Sequence, residues 1–239
     1  MNIRLGVNID HVATLRNVRG SKYPSPLEVA KIVSSSGASQ VTVHLREDRR
    51  HIKETDVIDI IQKIDIDVNL EIAPTEEMLE FAIKYRPNFV CLVPEKREEL
   101  TTEGGLNVDL EEVKKAISKL HNNKLKVCLF INPDKNTIYK CQDLKIKYVE
   151  LHTGNYANAN PSNMKKELIL IKECAKLCDR LKIHCHAGHG LNLYNVDLIS
   201  SIKEIRELNI GHSLISESIF IGLEKSIQRM ITKINNSRK

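Results

Sequence analysis

The chain contains no tryptophan, and aromatic residues make up only 4% of its 239 residues. Its core must therefore be built from isoleucine, leucine and valine, a composition that favours parallel strands covered by helices. No apolar run is long enough to cross a bilayer, and the N-terminal residues are typical of a strand rather than of a secretory leader. We therefore expect a cytoplasmic protein without a membrane partner.

Several signatures of other protein classes are also missing. None of the six cysteines forms a CxxC pair, and several fall within apolar patterns. Such cysteines are typical of buried free thiols in a reducing compartment. No Gly-x-Gly-x-x-Gly turn follows the first strand, which argues against a dinucleotide-binding sheet. No serine stands in a nucleophile-elbow pattern, which argues against acyl-enzyme chemistry.

The charge balance is only mildly basic, with a formal net charge of +5. Such an excess suits an enzyme with anionic small substrates, and no basic stripe is interleaved with aromatic residues. We therefore expect no nucleic-acid partner. A basic RNA-binding barrel without catalysis is the alternative from another class, and it predicts RNA affinity that depends strongly on salt.

Apolar patterns along the chain alternate between strands and helices. Strands are predicted at 3–9, 41–45, 67–72, 89–93, 126–131, 148–152, 182–186 and 207–210. Helices are predicted at 27–35, at 54–63, from Pro74 onward, at 110–120, briefly after Pro133, at about 162–179, over most of 192–205 and at 215–234. Eight strand–helix units of about 30 residues each predict a (β/α)8 barrel, and we expect one domain over residues 1–239. The polar connection at 94–105 is typical of a mobile lid.

Chemically active side chains gather where the predicted strands end. The central example is the stretch 40–51, a buried strand that runs into a cluster of arginines, histidines and carboxylates. The carboxyl ends of all strands of a barrel meet at one mouth. The residues expected there are Asn8, Asp10, His11, His44, Arg46, His51, Glu71, His152, His189 and His212. Six histidines from different strands indicate a catalytic mouth rather than packing.

These residue types predict proton transfer and phosphate binding. Imidazoles titrate near neutrality, and burial would raise the pKa of Glu71 into a useful acid/base range unless an arginine neutralises it. The loops after strands seven and eight contain Gly188, Gly190 and Gly211, and barrels commonly bind phosphate there. Arg19 and Arg46 are candidates for bidentate phosphate contacts.

A metal-dependent barrel hydrolase is the alternative enzyme. His184 and His186 are two residues apart on strand seven, and Asp10 and His11 could add ligands. Polar residues inside barrels also bind buried water, and strand one has no HxH motif. We therefore expect no bound metal.

Long motifs resemble the pyridoxine 5′-phosphate synthase family. They are GVNIDHVATLRN at 6–17, TVHLREDRRHI at 42–52, NLE at 69–71, LVPEKR at 92–97, TTEGG at 101–105, HTG at 152–154, AGHGL at 187–191 and LNIGH at 208–212. The resemblance implies a (β/α)8 barrel with extra helices, assembled as a homo-octamer that is a tetramer of dimers. It also implies condensation of 3-amino-2-oxopropyl phosphate with 1-deoxy-D-xylulose 5-phosphate, without a cofactor.

The resemblance also implies a role for each matching residue. His44 and Glu71 correspond to proton acceptors, and His189 corresponds to a proton donor. Matches to aminoketone phosphate contacts are Asn8, Arg19, Gly190, Gly211 and His212. Matches to sugar phosphate contacts are Asp10, His11, Arg46, His51 and Thr101.

Two segments depart from the family pattern. His186 stands where asparagine is expected, and Ser216 and Glu217 stand where a Gly-Arg pair is usual. Loss of a positive charge beside the phosphate loop is expected to weaken the aminoketone phosphate site.

Overall fold

A computed structural model describes residues 2–95 and 104–238, and its central element is a closed barrel of eight parallel strands in the order β1 to β8. The strands are β1 (Arg4–Asn8), β2 (Gln40–His44), β3 (Asp67–Ile72), β4 (Phe89–Leu92), β5 (Val127–Ile131), β6 (Tyr148–His152), β7 (His184–Gly188) and β8 (Ile205–Ile210). The predicted (β/α)8 barrel is confirmed. The prediction of a single domain over 1–239 stays a prediction.

Helices cover the outside of the barrel. They are α1 (Asp10–Arg19), α2 (Pro26–Ser35), α3 (Glu54–Lys63), α4 (Glu76–Tyr85), α5 (Glu111–Asn122), α6 (Lys135–Asp143), α7 (Gly154–Asn158), α8 (Pro161–Arg180), α9 (Val196–Ser200), α10 (His212–Ile221) and α11 (Leu223–Asn236). With eleven helices in the described residues, the barrel has more than the eight that its repeat requires. None of these helices is both long and apolar enough to cross a membrane.

Side-chain alternation along the strands separates an apolar outer layer from a mixed interior. Val41 and Val43 of β2 are fully buried and belong to the main apolar core. Gln40, Thr42 and His44, which alternate with them, are buried polar residues. Because successive side chains of a strand point to opposite faces, the second set lines the barrel interior.

One side of the interior is apolar. A smaller core cluster consists of Cys91 and Val93 from the β4 side, and Cys128 and Phe130 from β5. All six cysteines of the chain are free and buried. The remaining strands supply most of the polar interior, and they position the site.

The sequence pattern missed or shifted four elements. It predicted no helix after β1, where the structure has α1. Gly20 caps the C-terminus of α1 in a left-handed conformation. It predicted one tail helix, whereas Gly222 at φ 84° separates α10 from α11. Strand β7 begins two residues later than predicted, so His186 lies at its middle. The helix predicted over 192–205 is confined to the single turn of α9.

Candidate active site

A cavity of about 540 Å³ lies at the carboxyl ends of the strands. Most of the residues that the sequence analysis predicted for the site line this cavity. They are Asn8, Asp10, His11, His44, Arg46, His51, Glu71, His189, Gly190, Gly211 and His212. The strands and the loops that follow them bring these residues together from positions up to two hundred residues apart in sequence.

Two glutamates form the acidic floor of the cavity. Strand register places Glu71 of β3 directly beside His44 of β2. Burial raises the pKa of Glu71 well above its ordinary value, and the charges of Glu150 and Asp10 raise it further. The charges that act most strongly on Glu71 are those of carboxylates. This arrangement does not favour the alternative in which an arginine neutralises Glu71.

Glu150 is the second carboxylate, and its environment is finely balanced. Burial raises the pKa of Glu150 to about 7, although a hydrogen bond from Asn209 Nδ2 at 2.5 Å opposes this rise. A side chain on residue 188 would place its Cβ 2.1 Å from Glu150 Oε1, so Gly188 is required for this packing. Two like charges at one buried site oppose each other's ionisation, so the proximity of the two carboxylates favours the protonated form of each.

His44 lies next to carboxylates on both of its ring nitrogens. Its Nδ1 is 4.0 Å from Glu71 Oε2, and its Nε2 is 3.5 Å from Glu95 Oε2. Its backbone N–H donates to Asp10 Oδ1 at 2.8 Å, while Asn8 Nδ2 donates to Asp10 Oδ2 at 2.9 Å. The start of α1 is thus fixed to the end of β2.

His189 follows β7 in a left-handed backbone conformation, with φ at 81°. The hydroxyl of Thr153 lies 2.7 Å from the carbonyl oxygen of Gly188 and 2.6 Å from that of His189, and so holds this strained turn. The ring of His152 packs 4.9 Å from the ring of His189. Burial lowers the pKa of His152 to about 4, and the neighbouring imidazole of His189 contributes.

His152 was expected at the mouth but is not among the residues that line the cavity. It is 5% exposed and packs edge-on against Phe130, with ring centroids 5.2 Å apart. At this place a neutral, buried imidazole packs against the ring of His189 and does not contact a ligand.

One end of the cavity presents backbone N–H groups. Gly190 has φ at 76°, and Gly211 directly precedes the first turn of α10. The first N–H groups of a helix have no acceptor within it and favour an anion. The rings of His11 and His212 lie 5.4 Å apart at this end. Burial lowers the pKa of His11, as does the charge of His212, while Asp10 opposes the change.

The other end contains Arg46 and His51. Arg46 is only 3% exposed, and burial lowers the pKa of His51. The loop that holds His51 is braced against α1, because Arg16 Nη2 and Asn17 Nδ2 both donate to its carbonyl oxygen. Arg16 in turn forms a buried ion pair with Asp56 at 2.6 Å.

Two predicted site residues are not part of the described cavity. Arg19 is the last residue of α1, its side chain is exposed, and it does not line the cavity. Thr101 lies outside the described residues, as does most of the segment predicted to form a lid.

The ligand set proposed for a metal hydrolase is not brought together within residues 2–95 and 104–238. His184 stacks on Tyr148 with ring centroids 4.9 Å apart, and His186 Nδ1 lies 3.2 Å from Glu207 Oε1. Neither histidine lines the cavity with Asp10 and His11.

A different trio has ligand atoms within 4.8 Å of one another in the described residues, namely Asp10, His44 and His51. This trio fits a cation poorly. His51 Nδ1 already accepts the backbone N–H of Ile52 at 2.9 Å, and the guanidinium of Arg46 adds positive charge nearby. The cluster suits anionic ligands better.

Neither departure from the expected family pattern lines the cavity, although Ser216 contacts His212, which does. Glu217 is held between α10 and α11 by Arg229 at 2.6 Å and by Ser226 at 3.1 Å. Ser216 Oγ lies 3.5 Å from His212 Nε2, on the solvent side of the first turn of α10. His186 lies deeper in the barrel, beside Glu207.

Sequence reasoning missed three groups that the structure places at the site: Glu150, Asn209 and Glu95. Glu150 stands two residues before the end of its strand, so it is not one of the strand-end residues from which the site was predicted. A carboxylate inside an otherwise apolar strand was the available signal, because a buried charge requires a partner or a function. Glu95 gave no comparable signal within its charged segment.

The fold and the site together define a (β/α)8-barrel enzyme whose cavity suits anionic small molecules. The sequence profile described as pyridoxal phosphate biosynthesis protein PdxJ matches residues 5–236, and the chain belongs to this family. The resemblance seen in the sequence motifs is thereby confirmed.

Curated relatives are similar over nearly the full chain. Pyridoxine 5′-phosphate synthase of Zymomonas mobilis subsp. mobilis is 53% identical over 230 residues, covering 95% of this chain and 90% of that protein. The synthase of Aliivibrio fischeri is 49% identical over 241 residues, covering 100% of this chain and 99% of that protein. The hydrolase alternative receives no support from these relatives.

Solved structures of other families share the fold. Phosphoribosyl anthranilate isomerase from Thermus thermophilus matches with a TM-score of 0.63 at 13% identity, covering 98% of this chain and 99% of that chain. At this identity the likeness shows the barrel alone.

Proposed function

We propose that this enzyme condenses 3-amino-2-oxopropyl phosphate with 1-deoxy-D-xylulose 5-phosphate, and forms pyridoxine 5′-phosphate, inorganic phosphate and water. Family membership and relatives named pyridoxine 5′-phosphate synthase support this activity. The observation that favours it most is a single cavity that combines a buried carboxylate pair and several imidazoles with an anion-binding region at each end.

The acid/base groups suit a reaction in which every step moves a proton. In the proposed sequence the amine attacks the sugar ketone, the imine becomes an enamine, water and phosphate leave, and a carbon–carbon bond closes the ring. Glu71 and His44 act as proton acceptors, and His189 acts as a proton donor. Burial raises the pKa of Glu71, which makes it a stronger base than an ordinary carboxylate and supports this role.

Two anion-binding regions suit two phosphorylated substrates. We assign the aminoketone phosphate to Gly190, Gly211, His212 and the N-terminus of α10, with Asn8 beside them. We assign the sugar phosphate to the end with Arg46 and His51. We expect Asp10 and His11 to contact the same substrate from the end where His11 lies beside His212. Binding both molecules in one cavity supplies the entropic part of catalysis.

We propose that the chain assembles with copies of itself, up to the expected homo-octamer. The outer faces of α1 and α10, which contact each other, expose large apolar side chains: Leu15, Val18, Ile219 and Phe220. An apolar surface of this kind favours burial against another protein surface. A cytoplasmic location and the lack of a nucleic-acid partner remain predictions, and the free, buried thiols suit a reducing compartment.

Incubation of the purified chain with both substrates tests the activity. Pyridoxine 5′-phosphate and inorganic phosphate should form in equal amounts, and neither should form when one substrate is omitted. His189→Ala should lower kcat by about 10²- to 10⁴-fold, since a positioned proton donor contributes that much. His121→Ala is the matched control, because His121 lies on α5 outside the cavity. Absence of product from a folded wild-type chain would refute the proposal.

A further inference from the structure

Glu95, which follows β4, makes a contact that the family resemblance does not explain. Its Oε2 lies 3.5 Å from Nε2 of His44, on the side of the imidazole ring opposite Glu71. The side chains of Glu95 and His44 are only 2% and 6% exposed. The contact is therefore shielded from water, and an interaction between charges is stronger there than at the surface.

The other oxygen of Glu95 is fixed by the loop after β2. Its Oε1 accepts the backbone N–H of Glu47 at 2.8 Å and lies 3.8 Å from Arg46 Nε. This anchor directs Oε2 toward the imidazole. Within the described residues, neither Glu95 Oε2 nor His44 Nε2 has a hydrogen-bond partner that meets ordinary geometry, so each is available to the other.

Glu95 remains ionised despite its burial. Burial alone would raise the pKa of Glu95, but its contacts with His44, the N–H of Glu47 and Arg46 outweigh this effect and lower it. An anion therefore faces Nε2 at neutral pH. On the Nδ1 side, burial and the neighbouring carboxylates raise the pKa of Glu71, so the two carboxylates differ in how readily they ionise.

We infer that Glu95 is a positioning residue for His44. It accepts a hydrogen bond from Nε2–H, so that the Nδ1 lone pair faces Glu71 and the cavity. The inference rests on the proposed function, in which His44 accepts protons from the substrates. A neutral imidazole has one ring proton, and the hydrogen bond to one nitrogen decides which nitrogen is free to act as a base. A carboxylate that holds a catalytic histidine in this way also stabilises the imidazolium that forms.

Other charged groups around His44 do not substitute for Glu95. Asp10 binds the backbone N–H of His44, and the ring of His51 lies 5.8 Å away. Arg46, on the same loop as His51, is a cation. Asp10, His44 and His51 each have a ligand atom within 4.8 Å of the others, but Glu95 Oε2, at 3.5 Å, is the carboxylate oxygen that pairs with Nε2. The 3.5 Å separation is long for a hydrogen bond, and such contacts commonly shorten when substrate binds.

The kinetic test compares Glu95→Gln and Glu95→Ala with Glu47→Gln. The last variant removes an exposed carboxylate from the adjoining loop while leaving its backbone N–H in place. We expect kcat to fall by about 10- to 100-fold in both Glu95 variants, with KM little changed. Loss of the anion should also move the acidic limb of the kcat profile to lower pH by about one unit. Glu47→Gln should behave as wild type.

A spectroscopic test is independent of turnover. In protein containing ¹⁵N-labelled histidine, the His44 signals, assigned by their loss in His44→Ala, should report a proton on Nε2. Both Glu95 variants should shift toward a mixture of tautomers, while circular dichroism shows that they are folded. An unmoved pH limb together with an unchanged tautomer would overturn the inference. A tautomer shift in a protein that forms no pyridoxine 5′-phosphate would support the positioning role and reject only the proposed function.

Discussion

The two ends of the barrel both contain buried charge, but they arrange it in opposite ways. At the amino ends of the strands, Arg4 lies 2.7 Å from Glu207 and 2.6 Å from Asp67. Glu207 also accepts a hydrogen bond from Gln40 at 2.9 Å and lies 3.2 Å from His186. At the carboxyl ends, Glu71 instead faces the like charges of other carboxylates.

The pKa directions reflect this contrast. Burial would raise the pKa of Glu207, but His186 and Arg4 lower it below its ordinary value. Burial and like charges raise the pKa of Glu71 with no arginine to oppose them. Buried charge alone therefore does not distinguish a site from a structural network. The sign of the neighbouring charge does, because only unbalanced groups stay poised to exchange protons.

Of these variants, Glu71→Gln should lower activity most severely. The change removes a proton acceptor and is expected to lower kcat/KM by about 10²- to 10⁴-fold. Stability should be unchanged or slightly higher, because the variant removes a charge that is unfavourable in its surroundings. Steady-state kinetics and urea unfolding measure the two effects. Activity within a few-fold of wild type would rule out the proposed role of Glu71.

Glu150→Gln should remove a pH dependence of stability. In the folded state the pKa of Glu150 is raised to about 7, so the folded protein binds this proton more tightly than the unfolded chain. Its stabilising effect is complete below the ordinary carboxyl pKa and is lost as pH rises through about 7. The loss is on the order of 1.4 kcal/mol for each pH unit of the shift.

Urea unfolding of wild type and Glu150→Gln between pH 5 and pH 8 measures this difference. Wild type should lose more stability than the variant as pH rises across the range. Parallel curves for the two proteins would show that Glu150 is not held protonated by its surroundings.

Glu207→Gln should affect the amino end in the opposite manner to Glu71→Gln. The variant weakens the pairing of Arg4 and His186 and should cost about 1–3 kcal/mol of unfolding free energy, less than for a fully buried pair. The discount applies because the side chain of Arg4 is 43% exposed. Activity per folded molecule should stay within about threefold of wild type. A large loss of kcat in a stable variant would mean that the two ends are coupled.

His186→Asn, which introduces the residue expected from the sequence resemblance, should have the smallest effect. It exchanges one partner of Glu207 for another polar group and should change stability by about 1 kcal/mol or less. Activity should not change, since His186 does not line the cavity. Thermal unfolding and kcat/KM test this expectation, and a clear drop in kcat/KM would contradict the separation of the two ends.

Much of the site could be predicted because strand periodicity and strand ends are local properties of sequence. The alternation Val41, Val43 against Thr42, His44 fixes which side chains of β2 face inward. Parallel strands of a barrel then bring residues such as His44, Glu71 and His189 to one mouth. The interior of a strand was harder to interpret, because Glu150 follows the same alternation as an apolar interior residue would.

Arg19 and α1 show a second kind of limit. Only Ile9 separates β1 from α1, and no side chain caps the start of the helix, so the apolar pattern alone did not predict a helix from Asp10. The helix directs Arg16 inward to Asp56 and leaves Arg19 exposed at its last turn. Whether an arginine of α1 points inward or outward depends on helix phase and on what packs against the helix.

The sequence by itself determined the eight strands, the mouth where they end and most of the acid/base residues, because these follow from spacing along the chain. Only the tertiary structure decided which ionisable groups lie next to one another: Glu71 beside Glu150, His44 beside Glu95, and Arg4 beside Glu207. These pairings join distant strands, and their distances depend on barrel closure and side-chain packing. The pKa values that make one end reactive and the other inert are set by those distances and by burial.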